Sequence, residues 1–415
     1  MADQDALQTV EITGVGAQGD GLAPGGVFVP LTLPGERALV RLEGQRGEAQ
    51  EILVASADRV TPPCRHFGDC GGCALQHWSQ DPYLAWKADQ VRTALSREHI
   101  ETDILEPWAA PPGSRRRLSL HARKVRGGAA IGFKARRSWR LAEIVECPIS
   151  DRRLVAAFPA LAKLAEPFLE HPKSAPTLHV TWTATGLDVD ITGVERRSGG
   201  LSADARMRAA EAAQSGDMAR VTLAGEVVYM ARQPVVRLGP ATVALPAGAF
   251  LQAVPQAEAA IADFAIEGLQ GASRLADLYC GVGTFTFRLA AKASVRAADS
   301  SAAAIAALGS AVATAPGLKP IQSEVRDLTR RPMLTMELNK LDGAVLDPPR
   351  AGAFEQTAEI ARSTIARVAY VSCNPTTFAR DARVLVDAGF TLERVLPVDQ
   401  FLWSPHVELV GIFGR

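Results

Sequence analysis

No stretch of the 415 residues reaches the ~18 consecutive apolar positions that a membrane-spanning helix needs, so a helical membrane protein is excluded. The start of the chain, Met1 to Leu7, holds two aspartates and no apolar run, which offers no secretory leader and points to a cytoplasmic protein. Net charge is missing as well. With 45 basic side chains against 45 acidic ones, the chain as a whole does not announce a polyanionic partner. Cysteine is sparse at six residues, and without a leader these do not form a secreted disulfide set. Internal repeats and low-complexity tracts are absent, so the chain is not a repeat array. What remains is a chain that is 47% apolar and long enough for two or three domains, with no obligate protein partner evident.

Three regions differ in pattern. Residues 1–58 show short apolar runs, among them Val10 to Ile12, Val27 to Val29 and Ala38 to Leu42, with turns at Gly19, Gly25-Gly26 and Pro34-Gly35. That is the pattern of a small β-barrel. It carries three Arg and nine Asp or Glu, 3 − 9 = −6, an odd charge for a module that grips RNA. Residues 59–245 open with a cysteine segment and continue as an α+β domain, with a helix from Asp81-Pro82 to about His99, helices at about 151–170 and 202–214, and hairpins turning at Thr185-Gly186 and Ala224-Gly225. Within it, Arg115 to Arg140 holds ten basic residues and no acidic one. Leu118, Leu120 and Ala122 alternate onto one face, Gly127-Gly128 turns, and Ile131 and Phe133 follow, so this segment reads as a basic hairpin. Arg115, Arg116, Arg117, Arg123, Lys124, Lys134, Arg136 and Arg137 are its candidate RNA contacts.

From residue 246 to 415 the rhythm becomes strictly helix and strand: helix 256–269, strand 274–279, helix 284–293, strand 294–299, helix 301–313, strand 343–346, helix 354–365, strand 367–372 and helix 376–388. Such alternation predicts an α/β domain with a doubly wound, Rossmann-like parallel sheet. The loop Asp277-Leu278-Tyr279-Cys280-Gly281-Val282-Gly283-Thr284 follows an apolar strand and opens a helix, and its glycines let the backbone pass close to a ligand. Asp299, about 20 residues on, ends the next strand, where a carboxylate takes a ribose hydroxyl pair. The third glycine of a nicotinamide fingerprint is missing, as suits a cofactor without a pyrophosphate. Cys280, beside those glycines, reads as a small packing residue.

Two further motifs end strands of the same sheet: Asp347-Pro348-Pro349-Arg350 and Ser372-Cys373-Asn374-Pro375. Strand ends line the ligand crevice of such a sheet, so Asp347 and Cys373 are expected to face one pocket. Glu408, in His406-Val407-Glu408, precedes the apolar run Leu409 to Phe413 and adds a late carboxylate. Cys64, Cys70, Cys73 and Cys147 form a ligand-like pattern, three on one loop and a distant fourth before Pro148. Four thiolates suit either a zinc ion or an iron–sulfur cluster, and the spacing alone does not decide.

Taken together, Asp277 to Thr284, Asp347 to Arg350, Ser372 to Pro375 with Arg380-Asp381, and His406-Val407-Glu408 resemble the RNA uracil-5-methyltransferase family. The resemblance implies S-adenosyl-L-methionine as methyl donor, Cys373 as nucleophile and Glu408 as the proton-removing base. It implies cofactor or uracil contacts for Gln252 in Phe250-Leu251-Gln252, and for Tyr279, Thr284, Asp299, Asp327 and Asp347. Residues 1–58 look like the family's TRAM barrel and 115–150 like its RNA-binding region. The four cysteines correspond to a motif that carries a [4Fe-4S] cluster in family members, which makes zinc the lesser expectation. Members with both barrel and cluster resemble enzymes of large-subunit ribosomal RNA, so 23S rRNA is the expected partner. A transfer-RNA T-loop uridine is the alternative target, and a non-catalytic RNA-binding protein the alternative class.

The chemistry fits the residues. Carbon 5 of uracil becomes nucleophilic only after something adds to carbon 6, and a thiolate is a natural adduct former. A carboxylate must later remove the carbon 5 proton. A free thiol titrates near ~8.5, so about 2 kcal/mol of thiolate stabilisation, from a nearby Arg or a sulfonium charge, would activate Cys373 at neutral pH.

Overall fold

The computed structural model describes residues 7–195 and 201–415, so the first six residues of the expected barrel, and of the Met1 to Leu7 reading, lie outside the described residues. The strands Leu7–Glu11, Gly14–Val15, Gly21–Ala23, Val27–Val29, Arg37–Glu43 and Arg46–Val54 form a six-stranded, barrel-like sheet. In Arg37–Glu43 the alternation places Ala38 and Val40 inside while Arg37 and Arg41 face solvent. With Ile12, Ala23 and Val29 they make a small core. Two of the barrel's acids are buried structural groups. Glu36 takes Arg59, and Asp20 takes both Arg136 and Arg137 at 2.6 Å each.

The second layer is a seven-stranded sheet in the order Leu141–Glu143, Gly128–Lys134, Arg117–Val125, Thr177–Thr183, Gly186–Thr192, Met218–Leu223, Glu226–Met230. The basic hairpin forms its first part, Gly128 pairing with Val125 as the glycine turn predicts. Leu118, Leu120, Leu178 and Val180 point to one face and pack on Leu161 and Leu164 of the helix Phe158–Ala165 and on Ala209 of the helix Ala203–Ser215. The opposite face, with Ser119, His179 and Thr181, looks into the main cavity.

The third sheet has the order Ile321–Val325, Ser294–Asp299, Arg274–Leu278, Gly343–Leu346, Arg367–Ser372, Glu408–Gly414, Thr391–Asp399, Asp103–Ile104, with Trp108–Ala109 also on Thr391–Asp399. The first five strands are parallel, as the alternation predicts. The end of the chain corrects the strictly parallel expectation: Thr391–Asp399 and Glu408–Gly414 pair antiparallel, and the latter also runs antiparallel to Arg367–Ser372. The connection between Asp399 and Glu408 holds no helix and is too short for a parallel crossover, which needs a dozen or more residues. The edge strand Ile321–Val325 escapes the sequence reading because its residues are mostly polar and exposed.

The packing also moves the expected domain boundaries. The helix Gln80–Arg97 and the strands at 103–109 belong to the third sheet rather than to a 59–245 domain. Val91, Ala94, Leu95 and Ile100 share one core with Leu346, Tyr370, Phe378, Val395 and Phe413. On the other face, Val236, Leu238 and Val243 of the hairpin Val235–Ala244 pack with Ile261, Leu308, Val345 and Ile412.

Candidate active site

A cavity of about 810 Å³ opens between the strand ends of the third sheet and the open face of the second. Cys373, Glu408, Gln252, Tyr279, Thr284, Asp299, Asp327 and Asp347 all line it, together with Arg115, Arg117, Arg350 and Phe401.

The glycine loop leaves the strand Arg274–Leu278 with Tyr279, Gly281 and Gly283 at φ values of +64°, +55° and +100°. A side chain on Gly283 would run into Phe287, whereas a Cβ on Gly281 would meet nothing within 4 Å. Gly281 N donates to Asp299 Oδ2 at 2.9 Å and Ser301 N to Asp299 Oδ1 at 2.8 Å, so the acid at the second strand end shapes the loop. The helix is shorter than the expected 284–293, covering Thr286–Ala290. Thr286 Oγ1 donates to Asp277 Oδ2 at 2.5 Å, and burial pushes the Asp277 carboxyl up to about 7. Cys280 is buried in the core beside it.

The turn after Arg367–Ser372 holds Cys373. Asn374 caps the helix Pro375–Asp387, its side chain accepting from Thr376 N, and Pro375 fills the first helical position, where no N–H is needed. The chain thus leaves Cys373 at the mouth of the turn. Its thiol is pushed up to about 11, by burial first and then by the charges of Glu408 and Asp347. Arg350 pulls the other way without offsetting them, which corrects the expectation that a nearby Arg activates this thiol in the resting site.

Four polar side chains from four segments join into one chain. Gln252 Nε2 donates to Asp347 Oδ2 at 3.1 Å, Gln400 Nε2 donates to Gln252 Oε1 at 2.7 Å and to Glu408 Oε2 at 2.7 Å, and Ala253 N donates to Gln400 Oε1 at 3.1 Å. Burial lifts both carboxyls above their usual range, and the charge of Asp347 adds to the effect on Glu408. Gln400 carried no motif in the sequence, and neither did the groups behind it. The adjacent Asp399, fully buried, accepts from Lys87 Nζ at 3.0 Å and from the Tyr83 hydroxyl at 2.6 Å.

The basic hairpin does not present its cations as one face. Arg116 is buried, pairing with Glu258 at 2.5 Å and donating to Gln252 O, while Arg117 donates to Leu251 O at 2.6 Å and lies over Phe250. These two arginines position the segment that carries Gln252. Arg115 lies over Phe401, Arg136 and Arg137 are held by Asp20, and Arg123 pairs with Glu143. Lys124 is exposed, and Lys134 sits 3.8 Å over the ring of Trp139, which is itself exposed.

Cys64, Cys70, Cys73 and Cys147 line a second cavity of about 270 Å³, which shares Arg115, Leu118 and Ser119 with the first. Gly72 N donates to Cys70 Sγ at 3.4 Å and Ser150 Oγ to Cys147 Sγ at 3.1 Å. Burial, helped by the neighbouring sulfurs, raises the thiols of Cys70, Cys73 and Cys147, that of Cys73 to about 12. Among the described residues no three His, Cys, Asp or Glu side chains are grouped as a metal ion requires. Four thiols around one cavity match a cluster in kind and number, but their sulfurs are not gathered as a single ion would hold them.

Comparison with known proteins places this geometry. Residues 242–414 match the model of the tRNA (uracil-5-)-methyltransferase family. A Caulobacter vibrioides protein named an RNA methyltransferase is 67% identical over 99% of this chain and 100% of its own length. The 23S rRNA (uracil(1939)-C(5))-methyltransferase of Halomonas elongata is 32% identical over 92% of this chain and 83% of its own. The crystal structure of the Pyrococcus abyssi tRNA (uracil-54, C5)-methyltransferase, solved with S-adenosyl-L-homocysteine, shares the fold at a TM-score of 0.73 over 100% of both chains, with 23% identity.

Proposed function

Because this chain belongs to the RNA (uracil-5-)-methyltransferase family, we propose that it methylates carbon 5 of one uridine in 23S rRNA through a covalent adduct at Cys373. The observation that carries the reading is the convergence of Cys373, Glu408, Asp347 and Gln252 on one cavity. The ribosomal target draws support from the relative that acts on 23S rRNA and from the four cysteines around the second cavity.

In this reading the target uridine leaves its stack, at a cost of a few kcal/mol, and enters the cavity between the second and third sheets. The Cys373 sulfur bonds to carbon 6, which places electron density on carbon 5. The Gly281 loop, Tyr279, Thr284, Asp299 and Asp327 would hold S-adenosyl-L-methionine, which would supply the methyl group to this carbon as its sulfonium–methyl bond breaks, leaving S-adenosyl-L-homocysteine. The open space beside Gly281 and the carboxylate at Asp299 suit an adenosine ligand. Glu408 then removes the carbon 5 proton. Those C–H electrons form the 5,6 double bond as the sulfur–carbon bond breaks and Cys373 leaves as thiolate. Asp347 and Gln252, hydrogen bonded to each other, are suited to read the base edge.

Cys64, Cys70, Cys73 and Cys147 would hold a [4Fe-4S] cluster in a structural role, with the N–H and O–H donors to Cys70 and Cys147 supporting anionic sulfur. Iron and acid-labile sulfide measured on anaerobically purified protein test this, with Cys73→Ser expected to lose both. The central test is denaturing electrophoresis with 5-fluorouridine RNA. The enzyme should form a band that survives denaturation, and Cys373→Ala should not; a Cys373→Ala variant that methylates near the normal rate refutes the covalent route. Mapping 5-methyluridine in RNA from a deletion strain separates a 23S rRNA target from a transfer-RNA one.

A further inference from the structure

Gln400 has no place in the motifs that identify the site, yet its amide bonds both Gln252 and Glu408 and accepts the main-chain N–H of Ala253. We propose that Gln400 is the positioning residue that orients Glu408, favours its carboxylate form over the protonated one, and fixes the orientation of Gln252 with the same amide. The proposal rests on the proton-removing role of Glu408 given above.

The argument starts from one backbone group. A glutamine amide has one oxygen that accepts and one nitrogen that donates twice. Ala253 N donates to Gln400 Oε1 at 3.1 Å, and a flipped amide would set an NH₂ against that N–H. Both hydrogens of Gln400 Nε2 are therefore committed, one to Gln252 Oε1 and one to Glu408 Oε2, each at 2.7 Å. With its oxygen turned to Gln400, Gln252 must turn its nitrogen to Asp347, where it sits at 3.1 Å. A single main-chain N–H thus sets the polarity of the whole chain from Asp347 to Glu408.

Gln400 itself cannot drift. The residue before it, Asp399, is enclosed and tied to Lys87 and Tyr83 of the helix Gln80–Arg97, and Gln400 is as buried as Glu408. Burial and the charge of Asp347 both disfavour the ionisation of Glu408. The donated hydrogen bond from Gln400 opposes them, since a donor to a carboxylate favours its charged form. A base that takes a proton from carbon must begin ionised, so this bond acts on the elimination step and not on adduct formation.

Gln400→Met keeps the length of the side chain and removes both donors. Single-turnover assays on ordinary uridine RNA should show proton removal slowed about 10–100-fold, as for loss of a hydrogen bond to a charged group. The methylated adduct should then accumulate as a denaturation-resistant band, and the pH dependence of its decay should move to higher pH. With 5-fluorouridine RNA, where no proton is removed, the variant should still form its adduct, slowed through the loss of Gln252 orientation but by less than proton removal is slowed. Gln400→Asn, which withdraws the amide by one methylene, is the second variant and should behave alike, with thermal midpoints reporting that both are folded. The proposal fails if either folded variant turns over with the wild-type rate and pH profile, or if it loses the 5-fluorouridine adduct that the wild type forms. Absence of that adduct in the wild type overturns the covalent reading instead.

Discussion

The thiol of Cys373 gives a prediction that can be worked through in numbers. With burial, Glu408 and Asp347 lifting it to about 11, the thiolate fraction at pH 7.5 is about 1 in 3,000, against about 1 in 10 for a free thiol near ~8.5. Allowing for the water that reaches a half-buried side chain, iodoacetamide should alkylate Cys373 roughly 30- to 300-fold more slowly than a Ser-Cys-Asn-Pro peptide at that pH. The sign is fixed by the direction of the shift: a raised thiol gains reactivity as pH rises. The rate, followed by mass spectrometry of the peptide that contains Cys373, should climb tenfold per unit from pH 6.5 to 9.5 (the range to be scanned, about three decades) without a plateau. At the alkaline end Glu408→Gln should react faster than wild type, because one repelling charge is gone. Saturating S-adenosyl-L-methionine, which brings a positive charge into the cavity, should also raise the rate. A plateau with a midpoint near or below pH ~8 in the ligand-free enzyme would refute the reasoning, since it would mean that the resting site stabilises the thiolate.

Three further expectations concern the basic segment. Asp20→Ala removes the buried partner of Arg136 and Arg137, and should lower unfolding stability by roughly 1–3 kcal/mol in urea melts and open the barrel to limited proteolysis. Glu258→Gln strands the buried Arg116 guanidinium, so a loss of about 3–5 kcal/mol is expected, with weaker methylation because Arg116 also holds Gln252 O; a melt within 1 kcal/mol of wild type would remove Arg116 from that role. Replacing Arg123 and Lys124 by Ala should lower the slope of log affinity against log salt for RNA by up to about 2, whereas Arg136→Ala and Arg137→Ala should change stability more than that slope.

The motif residues were legible because an α/β sheet places its strand ends on one edge. Tyr279, Asp299, Asp347 and Cys373 each follow an apolar strand, so the topology alone brings them to one cavity. Gln400 was not legible: its partner Gln252 lies 148 residues away, and a lone glutamine between a strand and a loop has no periodic signal. The basic segment misled for a different reason. Ten cations between Arg115 and Arg140 with no acid among them look like one solvated face, yet Arg116 finds a buried acid, and Arg136 and Arg137 share another. The same pairing accounts for part of the barrel's odd negative charge, since Asp20 and Glu36 are inward-facing anchors whose role depends on residues outside the barrel.

The strands at 103–109, laid beside Thr391–Asp399, make the catalytic unit discontinuous, with the whole seven-stranded sheet inserted between its two parts. On the ribosome, Val91, Leu95 and Ile100 emerge long before the core they complete, so the first part must wait for the last strands to be made. A fragment cut at residue 246 would carry every motif of the cavity and still expose Thr391–Asp399 as an unpaired edge, the place where a β-strand can recruit other copies. An isolated catalytic unit should stay in solution only when residues 80–110 are supplied with it, whether fused or added in trans.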